Sequence, residues 1–334
     1  MITLSDLGYE LPPERIAQEP ARPRDASRLL VLERATGSLA EICFAELAEH
    51  IGPRDLLVVN DTRVVAAKLC GRKASGGRAD VLLLERRAEG TWRALVRARG
   101  RLREGLELVF DRLEARVEAL ESGGMCVLRF ASGTRDDPEA LLEEIGVAPL
   151  PPYIRRDRPL AQDRADYQSI FAREPGAVAA PTASLHFTPA LAARLPIARL
   201  TLHVGPGTFR PLRGDLIDGH TLEPESFEVP VGTARAIART RAQGGRVIAV
   251  GTTVARALET TGGEAGRGRT DLFIRPGHRF QVIDSLITNF HLPRSTLLLL
   301  VMTFAGVKPV REAYACALAK GFRFYSYGDA MWIR

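Results

Sequence analysis

The sequence predicts an α/β main domain with a mixed sheet, plus an inserted small all-β barrel domain. Three observations lead there. Up to residue 64 and again from 150, apolar runs of strand length alternate with stretches of helical spacing, the pattern of a layered α/β domain. Between 65 and 149, short alternating runs are cut by glycine turns, the pattern of a small barrel. The 334 residues suffice for about two domains at roughly 150 residues each. The expected division is residues 1–64 and 150–334 as one discontinuous domain, with 65–149 inserted.

The elements follow in order. Prolines at 12, 13, 20 and 23 make the first stretch an extended arm or a short helical turn. LLVLE at 29–33 reads as a strand, 44–51 has helical apolar spacing, and DLLVVN at 55–60 is a strand running into NDTRV. The insertion contains six strand-like runs: VVAAKL, ADVLLLE, TWRALVRA, LELVF, EARVEAL and MCVLRF. A short helix over 138–146 begins after Asp137, a good cap residue, and the proline-rich PLPPY follows. Strands are expected at 199–204 and 246–251, with helices at 233–243 and 252–260. Short strands are expected at 271–274 and 280–283, around a Pro-Gly turn. The apolar run 297–304 reads as a buried strand, followed by a helix over about 310–320.

Composition excludes several classes. With 46% hydrophobic and 26% charged residues, the chain is neither a disordered tail nor a collagen-like repeat nor a stapled miniature scaffold. A net charge of +6 permits an anionic partner without requiring one. The four cysteines at 43, 70, 126 and 316 form no close pair, which fits reduced thiols in a cytoplasmic protein. The first 18 residues lack a basic-then-apolar leader pattern. The run from Leu297 to Met302 is far short of the roughly 18–20 residues of a membrane span. No membrane partner is expected. The six histidines show no metal-ligand spacing, so no metal is expected.

Several polar clusters could carry chemistry. Asn60, Asp61 and Arg63 lie at a strand end, where α/β clefts open, although an Asp beside an Arg can be only a salt bridge. Thr182, Ser184, His186, Phe187 and Thr188 crowd one proline-flanked loop; Thr188 also suits a helix cap. The turn from His203 through Gly205, Gly207, Thr208 and Phe209 could present amides and a hydroxyl to an anion or a sugar, or could be only a tight turn. Asn289, His291 and Arg294 form either a satisfied network or a site. The aromatic C-terminal stretch containing Tyr327 and Asp329 could stack on a base or be core. Finally, Arg93, Arg97, Arg99, Arg101 and Arg103 all fall at odd positions opposite an apolar even face. In a strand this makes a phosphate-tracking ribbon or an ordinary solvated face.

Long blocks of the chain resemble the S-adenosylmethionine:tRNA ribosyltransferase-isomerase family of queuosine biosynthesis. They include YELPPERIAQEPARPRDASRLLVL at 9–32, NDTRV at 60–64, PLPPYIRR at 149–156 and YQSIFAREPGAVAAPTASLHFT at 167–188. LTLHVGPGTFRP at 200–211, VIAVGTT at 247–253, TDLFIRPG at 270–277, LITNFHLPRSTLL at 286–298 and FRFYSYGDAM at 322–331 continue in the family's order. The chain departs from the family at Glu223, where a second His is common, and at Ser184 and Pro206, where Gly and Ala are common; Arg256 is kept.

The resemblance implies an α/β domain with a β-barrel and an unusual transfer. S-adenosylmethionine, a co-substrate with no prosthetic group beside it, donates its ribosyl part to 7-aminomethyl-7-deazaguanine at the tRNA wobble position. Epoxyqueuosine-tRNA forms; adenine and methionine leave. A base at the acidified 5′-carbon is then required, with His186, His203, His291 or Asp61 available, and His220 as well. Glu225 or Asp329 could serve adenine departure. Phe187 and Tyr327 offer aromatic faces, while Thr182, Thr208 and Thr252 offer hydroxyls for the ribose. Asn60, Arg63, Gly205, Gly207, Phe209, Asn289 and Arg294 complete the candidate substrate contacts. The arginine ribbon would hold tRNA, and a monomer is expected. A non-catalytic tRNA-binding protein and an ordinary methyltransferase are the competing readings. The second would favour a Gly-rich strand-to-helix turn near the N-terminus, which is missing from the sequence.

Overall fold

The computed structural model describes residues 3–87, 90–132, 138–205 and 220–334. The chain divides into two compact units, one of residues 1–63, 152–155 and 168–334, the other of 64–151 and 156–167. In chain order the strands are β1 (Arg28–Leu32), β2 (Leu39–Cys43), β3 (Leu56–Asn60), β4 (Thr62–Val64), β5 (Lys68–Lys73), β6 (Arg78–Arg86), β7 (Thr91–Ala98), β8 (Glu107–Phe110), β9 (Leu113–Leu120) and β10 (Met125–Ser132). There follow β11 (Glu174–Ala177), β12 (Ile197–Leu202), β13 (Glu225–Val229), β14 (Val247–Val250), β15 (Gly266–Thr270), β16 (Ser285–Asn289) and β17 (Ala330–Ile333). The helices are α1 (Leu47–His50), α2 (Pro138–Ile145), α3 (Gln162–Asp166), α4 (Pro189–Ala192), α5 (Val231–Ala242), α6 (Thr252–Thr261), α7 (Thr296–Ala305) and α8 (Val307–Ala319).

The larger unit is built on a nine-stranded sheet in the order β15-β13-β12-β3-β14-β16-β17-β1-β2. Strands β12, β3, β14 and β16 run parallel. β17 is antiparallel to β16 and parallel to β1, and the outer strands β2, β13 and β15 pair antiparallel. The sheet is therefore mixed. Every residue of β3, β14 and β16 is buried, as expected for parallel strands covered on both faces. Alternate residues feed two cores. Leu56, Val58, Val247 and Ala249 pack with α6, α7 and α8; Leu57, Val59, Ile248 and Val250 pack with Phe44, Phe171, Phe187 and Leu191.

Three local expectations are corrected. The run 297–304 is not a strand but the body of α7, in which only Thr303 escapes full burial. An apolar run buried all round carries no periodicity to separate strand from helix. The decisive signals were local: the Ser295 hydroxyl accepts the Leu298 amide at the N-terminus, and Gly306 follows Ala305 at φ 90°. The segments 271–274 and 280–283 are not strands either. The Glu259 carboxylate accepts the amides of Gln281, Val282 and Ile283, at 2.8, 3.0 and 3.1 Å, and so replaces a partner strand. Among the described residues, the strand of this region is β15, just upstream.

The smaller unit contains a closed antiparallel barrel in the order β10-β7-β6-β5-β8-β9. Its interior takes alternate residues: Ala79, Val81 and Leu83 from β6, Ala94 and Val96 from β7, Leu113, Ala115 and Val117 from β9. Gly71 of β5 is sterically required. A Cβ there would lie 2.3 Å from the Phe110 ring and 2.4 Å from the Val109 carbonyl oxygen. The expected strand alternation of arginines holds only to Ala98, where β7 ends. Arg99, Arg101 and Arg103 lie beyond it, exposed, in the segment leading to β8.

Candidate active site

The chain leaves β3 for β12 on one side and returns through β14 to β16 on the other. At such a reversal the strand ends part and a crevice opens beyond their carboxyl termini. A small open cleft lies there, lined by the 180–183 loop, Val204 after β12, Gly251 to Thr253 after β14, Thr288 and His291 at the end of β16, and Leu297. Among the described residues its lining has four threonine hydroxyls and one imidazole but no acidic residue, lysine or arginine. Thr182, Thr252 and His291, expected from sequence to serve the substrate, all line it. Gly251, Thr253, Thr288 and Val204 also line it and were not singled out as site residues; the Gly-Thr-Thr step directly after a buried strand was the signal for the first two.

Each wall has a local cause. Gly251 takes φ 98° as N-cap of α6, a conformation that favours glycine. Its amide donates to the Ile287 carbonyl at 2.8 Å, tying the helix start to β16. Asn60, fully buried, sits behind the cleft. Its Nδ2 donates to the Leu202 carbonyl and to the Thr253 hydroxyl, at 2.9 and 3.3 Å. Its Oδ1 accepts the amides of Thr62 and Leu202 at 3.1 and 3.0 Å. All of its polar capacity thus goes into joining β3 to β12 and positioning Thr253. His291 Nε2 lies 2.7 Å from the Thr288 hydroxyl, and the His291 amide donates to the Tyr314 hydroxyl at 2.9 Å. Burial pushes this imidazole down to about 3, so it is neutral near pH 7.

His186 is placed differently. Nδ1 lies 2.7 Å from the Ser27 hydroxyl, Nε2 lies 3.4 Å from Asn289 Oδ1, and the ring stacks on Phe44. Asn289 in turn donates to the Tyr325 carbonyl at 2.9 Å. Burial pushes His186 down to about 4. Phe187 does not line the cleft; it is fully buried, edge-on to Phe44 and Phe171. Asp329 accepts the amides of Arg28 and Arg323, at 3.0 and 2.8 Å, clipping the approach to β17 onto β1. Tyr327 is buried.

A second polar group lies at the ends of β3 and β12. The Thr201 hydroxyl donates to Asp61 at 2.7 Å, and burial raises the Asp61 carboxyl above its usual range. His203 Nδ1 lies 2.8 Å from the Thr62 hydroxyl. Its ring lies so close to Gly176 that a Cβ there would approach it to 2.9 Å. Burial lowers His203, partly offset by Glu174 and Asp61.

Glu225 forms the third group. One carboxylate oxygen accepts the Gly205 amide at 2.8 Å, and the other pairs with Arg256. This ion pair is nearly sealed, with side chains 7% and 4% exposed. The Arg256 guanidinium also donates to the carbonyls of Leu272 and Thr270. His220 is half-buried, edge-on to Phe273. Arg63 and Arg294 are exposed. Gly207, Thr208 and Phe209 lie outside the described residues.

On the barrel, Arg93 is engaged by Glu121 at 2.7 Å. The register brings Arg72 opposite Arg78 and Asp80 opposite Arg97, and Lys73 donates to the Arg99 carbonyl. This end of the barrel therefore gathers several basic groups, with Asp80 paired to Arg78 and Glu107 beside Ala74.

A polar crevice at the carboxyl edge of parallel strands, with a helix N-terminus and a buried imidazole in its lining, is the layout of an α/β small-molecule site. The family model described as queuosine biosynthesis protein matches residues 4–333, and the chain belongs to this family. A relative from Anaeromyxobacter sp. (strain Fw109-5), named S-adenosylmethionine:tRNA ribosyltransferase-isomerase, is 52% identical over 98% of both chains. One of the same name from Moorella thermoacetica is 49% identical over 99% of both. The crystal structure of S-adenosylmethionine tRNA ribosyltransferase from Thermotoga maritima matches with a TM-score of 0.55 at 38% identity, covering 98% of this chain and all of that one.

Proposed function

We propose that this chain is an S-adenosylmethionine:tRNA ribosyltransferase-isomerase, and that the cleft between the 180–183 loop and the start of α6 holds S-adenosylmethionine. Near-complete coverage by relatives named for that activity supports the enzymatic reading over a binding-only protein. The single structural observation that carries the site is the cleft's position and lining: hydroxyls and a neutral imidazole at the switch point of the sheet. Thr182, Thr288 and His291 face the ribose. The ribosyl part gives up its bonds to sulfur and to adenine and ends on the acceptor amine, and methionine and adenine leave. His291, neutral and in the cleft, orients the sugar by hydrogen bonding. His203 and Asp61, moved in opposite senses toward neutrality, are the groups suited to proton transfer at the 5′-carbon and at the departing adenine. The acceptor is the 7-aminomethyl-7-deazaguanine of a tRNA, whose phosphates meet Arg97, Arg99, Arg101 and Arg103 at the basic end of the barrel. The enzyme acts as a monomer in the cytoplasm. Among the described residues no helix is long and apolar enough to cross a membrane.

The test is mass spectrometry of nucleosides from tRNA bearing 7-aminomethyl-7-deazaguanine, incubated with the protein and S-adenosylmethionine. Epoxyqueuosine together with free adenine and methionine is expected. S-adenosylhomocysteine instead would indicate methyl transfer, and an unchanged nucleoside would leave only tRNA binding.

A further inference from the structure

We propose that the N-terminus of α6, with the Thr252 hydroxyl, is a carboxylate site, and that it takes the methionine carboxylate of S-adenosylmethionine. This rests on the reading that the cleft holds that molecule, and it names which end of the ligand lies where. The first observation is the helix terminus. Helix α6 spans ten residues, and its N-cap is glycine, with no side chain to satisfy the first turn. The first intrahelical bond runs from the Ala255 amide to the Gly251 carbonyl. The amides of Thr252, Thr253 and Val254 therefore have no acceptor among the described residues, and they give that end partial positive charge. Gly251 and both threonines line the cleft.

The second observation concerns a side chain rather than the backbone amides. Thr252 is only 5% exposed, it faces the cleft, and among the described residues nothing lies within hydrogen-bond distance of its hydroxyl. The neighbouring hydroxyls differ: Thr253 accepts from Asn60 and Thr288 pairs with His291. The Thr252 hydroxyl thus keeps its hydrogen-bonding capacity for whatever occupies the cleft. Donor amides and an unused hydroxyl converge on one point of the cleft wall. Among the described residues lining the cleft there is no lysine or arginine, and His291 is neutral. Among those residues, the helix terminus is therefore the positive counterpart for an entering anion. The α-carboxylate is the one anionic group of S-adenosylmethionine. The ribose then falls toward Thr182, Thr288 and His291, and Thr252 serves the carboxylate rather than the sugar.

The experiment is titration calorimetry on the full chain, alone and with tRNA present, comparing S-adenosylmethionine with its decarboxylated analogue. Loss of charge-assisted hydrogen bonds should weaken the analogue by about tenfold to hundredfold. Thr252→Val should weaken S-adenosylmethionine by about tenfold while leaving the analogue's affinity unchanged, and Thr252→Ser should restore it. Equal affinities of the two ligands for the native protein would overturn the proposal without any variant. So would a Thr252→Val protein that binds S-adenosylmethionine normally but tRNA weakly, because the anion would then be a phosphate. Binding of neither ligand in either condition would instead remove the underlying assignment of the cleft.

Discussion

His186 and His291 are both buried imidazoles drawn from polar clusters of the sequence, yet the structure uses them in opposite ways. His186 has a partner at each ring nitrogen and a phenylalanine against its face. His291 has one ring partner, Thr288, and lines an open cleft. Burial neutralises both. What separates them is the remaining hydrogen-bonding capacity and where it points. A buried polar group that is fully paired within the protein specifies the fold; one that keeps capacity toward a cavity is available to a ligand. The same contrast separates Asn60, whose amide bonds are all internal, from Thr252.

The largest effect that would sharpen this contrast concerns a group placed wholly on the structural side. Glu225→Ala leaves the Arg256 guanidinium buried without its carboxylate and should cost about 3–5 kcal/mol in urea unfolding. A loss under about 1 kcal/mol would place the pair in solvent. His186→Ala should cost about 2–4 kcal/mol, because it strands the Ser27 hydroxyl and the Asn289 amide and removes the stack on Phe44. An unchanged midpoint would break the comparison at its structural end.

Acid should expose both histidines. Their folded values lie near 4 and near 3, against 6.5 for the free side chain. The unfolded chain thus binds two more protons once the pH drops below about 6.5. Stability should fall by about 2.7 kcal/mol per pH unit from there down to about pH 4. Either His→Ala variant should show about half that slope. A flat profile over this window would mean that the imidazoles are hydrated. The smallest effect belongs to the barrel. Replacing Arg97, Arg99 and Arg101 with Gln should lower the logarithmic salt dependence of tRNA binding by about 2–3, measured by filter binding across salt, whereas Arg93→Gln, already held by Glu121, should change it less.

Much of this was legible in the chain. DLLVVN and RVIAVG are continuous apolar runs bounded by polar or glycine residues, and both became buried parallel strands. The barrel was legible because period-two alternation survives where one face is wet. Helix α7 was not, since burial on every side erased its period, and β16 and β17 were hidden among residues that looked like site or tail. Within the site, Thr182, Thr252 and His291 stood out as polar residues in apolar surroundings. Gly251 was missed because its value lies in a positive φ and an empty cap. Phe187 and Asp329 were read as ligand contacts because a sequence does not show what already occupies a ring face or a carboxylate.

The most direct test of the account is the initial rate of adenine release from S-adenosylmethionine and substrate tRNA by His291→Ala and by His186→Ala, each normalised to folded protein by circular dichroism. The account predicts a fall of about 100-fold for His291→Ala, and a rate close to native per folded molecule for His186→Ala. A native rate from His291→Ala, or a comparable collapse from well-folded His186→Ala, would contradict the division of roles between the two histidines.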